Sequence, residues 1–223
     1  MARPARQRNV RGQGALLRDE ILCAAIRVID TTQNEAEVSL RGIAREAGIS
    51  TMSVYGHFAN RDELLAAVAE MSWAQVCHDI TRDIQDGASP ETRLLLGCQA
   101  YVAFAQRYPL RYALMTQVDE TPPAARQALA VLTRGLLACG GVACAEPGGE
   151  PVFASEPGDS DADLDSHRTA SALSVALHGV AMLHRSDKPR LWLSEFSTCE
   201  IIRSLVDAAV LQLQRANCGA AER

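Results

Sequence analysis

The stretch Ile49-Ser-Thr-Met-Ser-Val-Tyr-Gly-His-Phe-Ala-Asn60 sets the hydroxyls of Thr51 and Ser53 on either side of the Met52 thioether, at the start of a short helical run. Hydroxyls donate to or accept from several base edges, whereas a thioether offers only apolar contact, such as a thymine methyl can make. Set against a nucleic acid, a group without Arg, Asn or Gln would give only modest direct readout and leave the remainder to duplex shape. Other chemistry is poorly supplied. Seven cysteines are scattered along the chain, mostly inside apolar helical patterns where they read as small core residues. Cys139 and Cys144 are close together at a glycine-rich helix end but lack a matching second pair, which argues against zinc; a response of that pair to oxidation stays open. The histidines, His57, His78, His167, His178 and His184, have no metal-ligand spacing, and no cysteine lies in a nucleophile motif. No enzyme activity, metal or cofactor is expected.

The elements that would position these residues are helical throughout. Apolar positions Leu17, Ile21, Leu22, Ala25, Ile26 and Ile29 make one face of a helix over residues 16–31. A short amphipathic piece follows, with Ser39 as N-cap and Leu40, Ile43 and Ala44 facing inward; it ends at Ala47-Gly48. Ser50 caps a third helix that ends near Gly56, and Asn60-Arg-Asp-Glu63 opens a fourth with a cap, acids in the first turn and a reciprocal Glu. That helix runs toward Asp86-Gly87. Ser89-Pro90-Glu91, Pro109 and Pro122-Pro123 open the next three. Residues 140–165 are rich in Pro, Gly and acid without apolar periodicity and are expected to form a long mobile loop. Two further helices are expected over residues 166–186 and 195–216. The fold class is therefore all-α.

The 223 residues permit one large domain or two small ones, and their 48% hydrophobic content can build a real core. The net charge of -5 conceals a basic arm, since Arg3, Arg6, Arg8, Arg11 and Arg18 precede any acid. Such an arm supplies a local phosphate-binding surface or stands as a solvated terminus. No apolar run has the length of a membrane span, and the N-terminus lacks a signal peptide's apolar region, so a reducing cytoplasm is expected.

Residues 40–54 have the spacing of a helix-turn-helix. Ile43 and Ala44 pack the first helix, Gly48 permits a left-handed turn, and Ile49 and Val54 peg the second; the small Ala44 suits a close helix crossing. By spacing alone an ordinary helical corner stays open. Leu40-Arg-Gly-Ile-Ala-Arg-Glu-Ala-Gly-Ile-Ser50, then Val54-Tyr-Gly-His-Phe58 and Asn60-Arg-Asp-Glu-Leu-Leu65, resembles the N-terminal DNA-binding domain of the tetracycline-repressor (TetR) family over residues 17–68. Later stretches, Tyr101 to Met115 and Ala176-Leu-His-Gly-Val-Ala-Met-Leu183, resemble the subgroup named for a Trp-His-Gly motif, with Leu177 in the tryptophan's place.

The resemblance implies a three-helix DNA-binding domain over residues 15–62, after a flexible arm at 1–14, and a helical ligand-binding and dimerisation body over 63–223. Thr51, Met52 and Ser53 would face the major groove. Tyr55 and His57 would lie at the phosphate-facing end, and Arg61 stands where the family usually has a phosphate-binding lysine. Arg41 is a candidate for a base or a phosphate, or is a solvated surface arginine; His57 is equally a surface histidine bonded to backbone. Phe58 closes the small core. In the body, Tyr101, Phe104, Tyr108, Tyr112, Met115, His178 and Met182 either line a cavity for an unknown small-molecule effector or simply fill the core.

Ile201, Ile202, Leu205, Val206, Ala209, Leu211 and Leu213 give more apolar surface than one packing face needs, which points to a homodimer through the last two helices. Two recognition helices would then sit about 34 to 36 Å apart on a pseudo-palindromic operator in double-stranded DNA. The expected function is a transcriptional regulator, a repressor released from its operator by a small molecule. The alternative is a DNA-binding protein whose body binds another protein instead.

Overall fold

The computed structural model describes residues 14–32, 34–82, 87–117, 122–140, 161–183 and 196–221. Among them are nine α-helices, a 3-10 turn at Glu35–Glu37 and no strand. The helices are α1 (Gly14–Thr31), α2 (Leu40–Ala47), α3 (Thr51–Tyr55), α4 (Arg61–Arg82), α5 (Pro90–Arg107), α6 (Pro109–Thr116), α7 (Pro123–Cys139), α8 (Asp161–Leu183) and α9 (Thr198–Ala221). The chain is all-α, as its periodicity implies.

The described residues form two units, one from residues 14–72 and 110–117, the other from 73–109 and 122–221. The sequence reading divides the chain at residue 62, whereas the N-terminal unit runs on to Ser72 and takes in most of α6. The reason is packing. Ile21, Leu22, Ala25 and Ile29 of α1 meet Ile43 and Ala44 of α2, Val54 of α3, Phe58, and Leu64 and Val68 of α4, and Leu114 of α6 enters the same cluster with Leu110 against it. The α6 contact also carries charge: Arg111, 3% exposed, brings its Nε within 3.2 Å of Asp30 Oδ1 on α1.

In the C-terminal unit α5 packs against α7, α8 and α9, and α8 lies along α9. Gly97 marks a close approach, because a Cβ there would stand 3.2 Å from Leu132 Cδ2 of α7 and 3.6 Å from the Ile80 carbonyl oxygen of α4. Trp73 and Tyr101 rings lie 6.3 Å apart in the same core. Local signals set the helix starts. Ser89 Oγ accepts from Thr92 N with Pro90 opening α5, and Ser197 and Glu200 cap α9 reciprocally, with Glu200 Oε2 accepting from Ser197 N at 2.7 Å.

The sequence places residues 161–165 in the acidic loop, but they already belong to α8. Acidic residues at a helix N-terminus are favoured by the dipole, so an acidic run is as good a helix start as a loop. The rest of the expected loop, residues 141–160, lies outside the described residues, as does the linker at 187–193. Among the seven apolar residues expected to serve dimerisation, Ile202, Val206, Ala209 and Leu213 are buried within the protomer; Ile201 and Leu205 are half-buried and Leu211 is 47% exposed.

Candidate nucleic-acid interface

The turn between α2 and α3 is built from three short-range devices. Ser39 Oγ accepts from Gly42 N at 3.1 Å and starts α2; Ser50 Oγ accepts from Ser53 N at 3.1 Å and starts α3. Between them Gly48 adopts φ 68 and ψ 33, the left-handed conformation that costs a residue with a Cβ about 1–2 kcal/mol. Its N–H donates to the Ala44 and Arg45 carbonyls, and Ile49 N donates to Ala44 O at 2.9 Å, closing the end of α2. Val54, fully buried, then pegs α3 to the core.

With Val54 inward, the opposite face of α3 is committed to solvent. Met52 is 77% exposed and Tyr55 50%, an unusual display of apolar surface three residues apart on one short helix. Thr51 and Ser53 are half-buried, and Ser53 Oγ lies 2.9 Å from Ser50 Oγ. Part of the Ser53 hydrogen-bonding capacity is thus used inside the cap. Arg41, Thr51, Tyr55 and Arg61 line one open cleft of about 920 Å³, together with Ser39, Asn60 and Glu35. The structure thereby brings four of the seven expected DNA-facing residues to one surface, with Met52 and Ser53 on the same helix and His57, half-buried, just beyond its end.

Arg61 is bound more closely than the sequence suggests. Its Nε donates to Val38 O at 2.9 Å, and its Nη2 donates to Glu35 O at 3.0 Å and to Glu35 Oε1 at 3.1 Å. The acceptors sit on a turn that Asn34 closes by accepting from Ala36 N, with Val38 buried behind it. Asn60 Oδ1 accepts from Glu63 N at 2.8 Å and Glu63 Oε2 accepts from Ala59 N at 2.7 Å, so the start of α4 is fixed as well. Sequence reasoning missed Glu35, whose contact spans 26 positions and leaves no local signal. It also missed the place of Arg18, counted only with the basic arm: the guanidinium stands 4.8 Å from the centroid of the buried Phe58 ring, next to His57.

Gly56 has φ -67 and ψ -13, an ordinary right-handed helical conformation, and a Cβ there would lie 3.4 Å from the Ser53 carbonyl oxygen. Neither backbone angle nor crowding requires glycine.

The expected effector residues divide between the units. Tyr112 and Met115 are fully buried on α6 in the N-terminal unit, while Tyr101 and Phe104 stand on α5, Tyr108 caps its end, and His178 and Met182 stand on α8. Within the body, Phe104 and Tyr108 rings lie 5.2 Å apart. Burial pushes the Cys98 thiol up to about 12 and the Cys139 thiol up to about 11, and Cys139 donates to Gly135 O at 3.1 Å. A thiol held protonated is a poor nucleophile and a poor redox sensor; Cys144, its neighbour in sequence, lies outside the described residues. Among the described residues no group of three or more His, Cys, Asp and Glu is placed to hold a metal, and no helix is long and apolar enough to cross a membrane.

Residues 21–68 match the family described as "Bacterial regulatory proteins, tetR family", and residues 94–208 match the "Tetracyclin repressor-like, C-terminal domain". The chain is 25% identical to the nucleoid occlusion factor SlmA of Aliivibrio fischeri over 99 residues, 44% of this chain and 50% of that protein; the match therefore spans half the length of that relative. Among solved structures it is similar to apo ActR from Streptomyces coelicolor, with TM-score 0.63 and 14% identity over 91% of this chain and 97% of that one. It is also similar to BioQ in complex with its double-stranded DNA operator, with TM-score 0.59 and 18% identity over 87% of this chain and 98% of that one. At such identities the likeness is one of fold.

Proposed function

Because the chain belongs to the tetracycline-repressor family, whose members are DNA-binding transcriptional regulators, we propose that it is a homodimeric repressor that leaves its operator when a small molecule occupies the helical body. The observation that carries the DNA-binding half is the exposed face of α3, with Met52 and Tyr55 in solvent and the helix fixed by Ser50, Gly48 and Val54. Met52 then reads an apolar base edge, Thr51 and Arg41 supply polar base contacts, and Ser53 contributes what its cap leaves free. Tyr55, His57 and Arg61 face the phosphates that set register and affinity. The setting is the cytoplasm, where the DNA is.

Dimerisation places two such faces about one duplex turn apart, roughly 34 to 36 Å. The exposed outer stripe of α8, with Ala172, Val175, Gly179 and Met182, and the exposed Ala208 and Leu211 of α9 offer small and apolar side chains for close helix contact between copies. Effector control requires a ligand that binds the DNA-free arrangement more tightly than the DNA-bound one. Tyr101, Phe104, Tyr108 and His178, all in the body, are the residues we assign to that ligand, consistent with the Trp-His-Gly subgroup resemblance.

Selection of bound duplexes from a random pool tests the first half: the expected result is a pseudo-palindrome whose half-site changes with Met52→Ala. Enrichment of no common sequence would overturn it. A small-molecule screen for release of that duplex tests the second half. The likeness to a nucleoid occlusion factor favours one rival, a DNA-binding protein whose body engages another protein. That rival predicts many dispersed chromosomal sites and a DNA complex that no small molecule dissolves.

A further inference from the structure

The Arg61 guanidinium, first residue of α4, is held from two kinds of partner. Two are backbone carbonyls, Val38 O at 2.9 Å and Glu35 O at 3.0 Å, and they fix where the group points. The third is the Glu35 carboxylate, with Oε1 at 3.1 Å from Nη2. The carbonyls cannot easily move away, since Val38 is 2% exposed and Asn34 ties the turn by accepting from Ala36 N. The carboxylate is different, because the Glu35 side chain is 43% exposed and the Arg61 side chain 33%, so their attraction is screened and exchangeable.

A carboxylate oxygen on a guanidinium has the charge sign and donor distance of a phosphate oxygen. Glu35 and Arg61 line the same cleft as Tyr55, Thr51 and Arg41, on the surface assigned above to DNA. The other acids at this end are Glu37, on the same turn, and Asp62, both exposed, and Glu63, whose Oε2 is engaged by Ala59 N. A carboxylate in direct contact with the cleft's arginine opposes a polyanion unless it is exchanged or displaced.

We propose that Glu35 is an internal stand-in for a DNA phosphate: it keeps Arg61 aimed at the cleft in the free protein and gives up its place to a backbone phosphate on binding. The two carbonyl bonds are retained, so the cation is presented in the same orientation before and after the exchange. Arg61 is thereby a positioning residue for the turn at Glu35–Glu37 and a phosphate ligand in the complex. The cost of displacing Glu35 falls on every duplex alike, which lowers affinity for random DNA without altering which bases are read. The inference rests on the DNA-binding reading.

The test compares wild type, Glu35→Gln, Arg61→Ala and the double variant, each binding a selected duplex and a random duplex over a series of salt concentrations. Glu35→Gln keeps the backbone acceptor and the side-chain shape. It is expected to tighten both duplexes by about threefold or more, by the same factor, and to steepen the slope of log K against log salt by up to about 0.9. The gain should disappear when Arg61 is already alanine. Unchanged or weakened binding by Glu35→Gln at an unchanged melting temperature would overturn the proposal and leave the pair a structural strut. An undiminished gain in the Arg61→Ala background would also overturn it, because the effect would then be a general one of net charge. Binding of random duplex by the wild type at low salt keeps the DNA-binding reading standing in either case, whereas loss of all duplex binding by every protein would overturn both.

Discussion

The two units solve opposite problems with the same kind of helix. In the N-terminal unit a buried set of aliphatic residues holds α3 by a single peg, Val54, so that Met52 and Tyr55 can be spent on solvent. Polar side chains there do structural work at short range: Ser39, Ser50 and Asn60 each satisfy a helix-start amide. In the body helix starts are capped at Ser89 and Ser197, and precision comes from small residues where helices meet, as at Gly97 between Ile80 and Leu132. The difference teaches that the first unit is specified by its termini and the second by its packing volume. Local substitutions should therefore damage the units through different mechanisms.

The largest effect is expected at the buried charge of the N-terminal unit. Arg111→Ala strands Asp30 against α6 and should cost roughly 3 kcal/mol, at the low end of buried-pair losses because Asp30 keeps 23% of its surface in water. Denaturant unfolding read by a probe in each unit checks it; an equal loss in both units would mean that the two are not stabilised separately. Next comes the body. Gly97→Val drives a branched side chain toward Leu132 and Ile80 and should cost about 1–3 kcal/mol of overpacking, with operator binding by the folded fraction unchanged. Ser50→Ala removes the cap of α3 and should cost about 1 kcal/mol while weakening operator binding, the reverse pattern. A variant at either position that showed the other's pattern would break the comparison.

The smallest effect concerns the thiols. Folded Cys98 and Cys139 should resist a thiol-specific alkylating reagent at pH 8, when exposed Cys23 and Cys199 react, and mass spectrometry of the labelled peptides checks this. With the folded thiols raised above the ordinary value of 9.0 and the unfolded ones at it, their stabilisation is whole below pH 9 and is lost as pH climbs toward 12. A flat stability profile across that interval would contradict the burial of Cys98.

What could be read from sequence divides along the same line. Ser39, Gly48, Ser50 and Asn60 were legible because a cap or a left-handed turn is decided within three or four residues. The start of α8 was not, because an acidic stretch suits a loop and a helix N-terminus equally. The membership of α6 in the N-terminal unit was hidden for another reason: Leu114 and Arg111 find partners on α1 and its neighbours, far back along the chain. Of the interface, the candidate cations were visible by register, but the carboxylate on Arg61 was not, since nothing near Glu35 in sequence announces a partner 26 positions away.

Gly56 has a right-handed backbone, and a methyl there would make only an ordinary contact 3.4 Å from the Ser53 carbonyl oxygen, so neither angle nor space demands glycine. It stands between Tyr55 and His57 at the foot of α3 as a gap in the relief of the surface. A position that the backbone leaves open to other residues, on the face proposed to meet DNA, is one that mutation can explore freely. If α3 docks on DNA as proposed, a side chain added there would change how deeply the helix seats while every cap stays as it is.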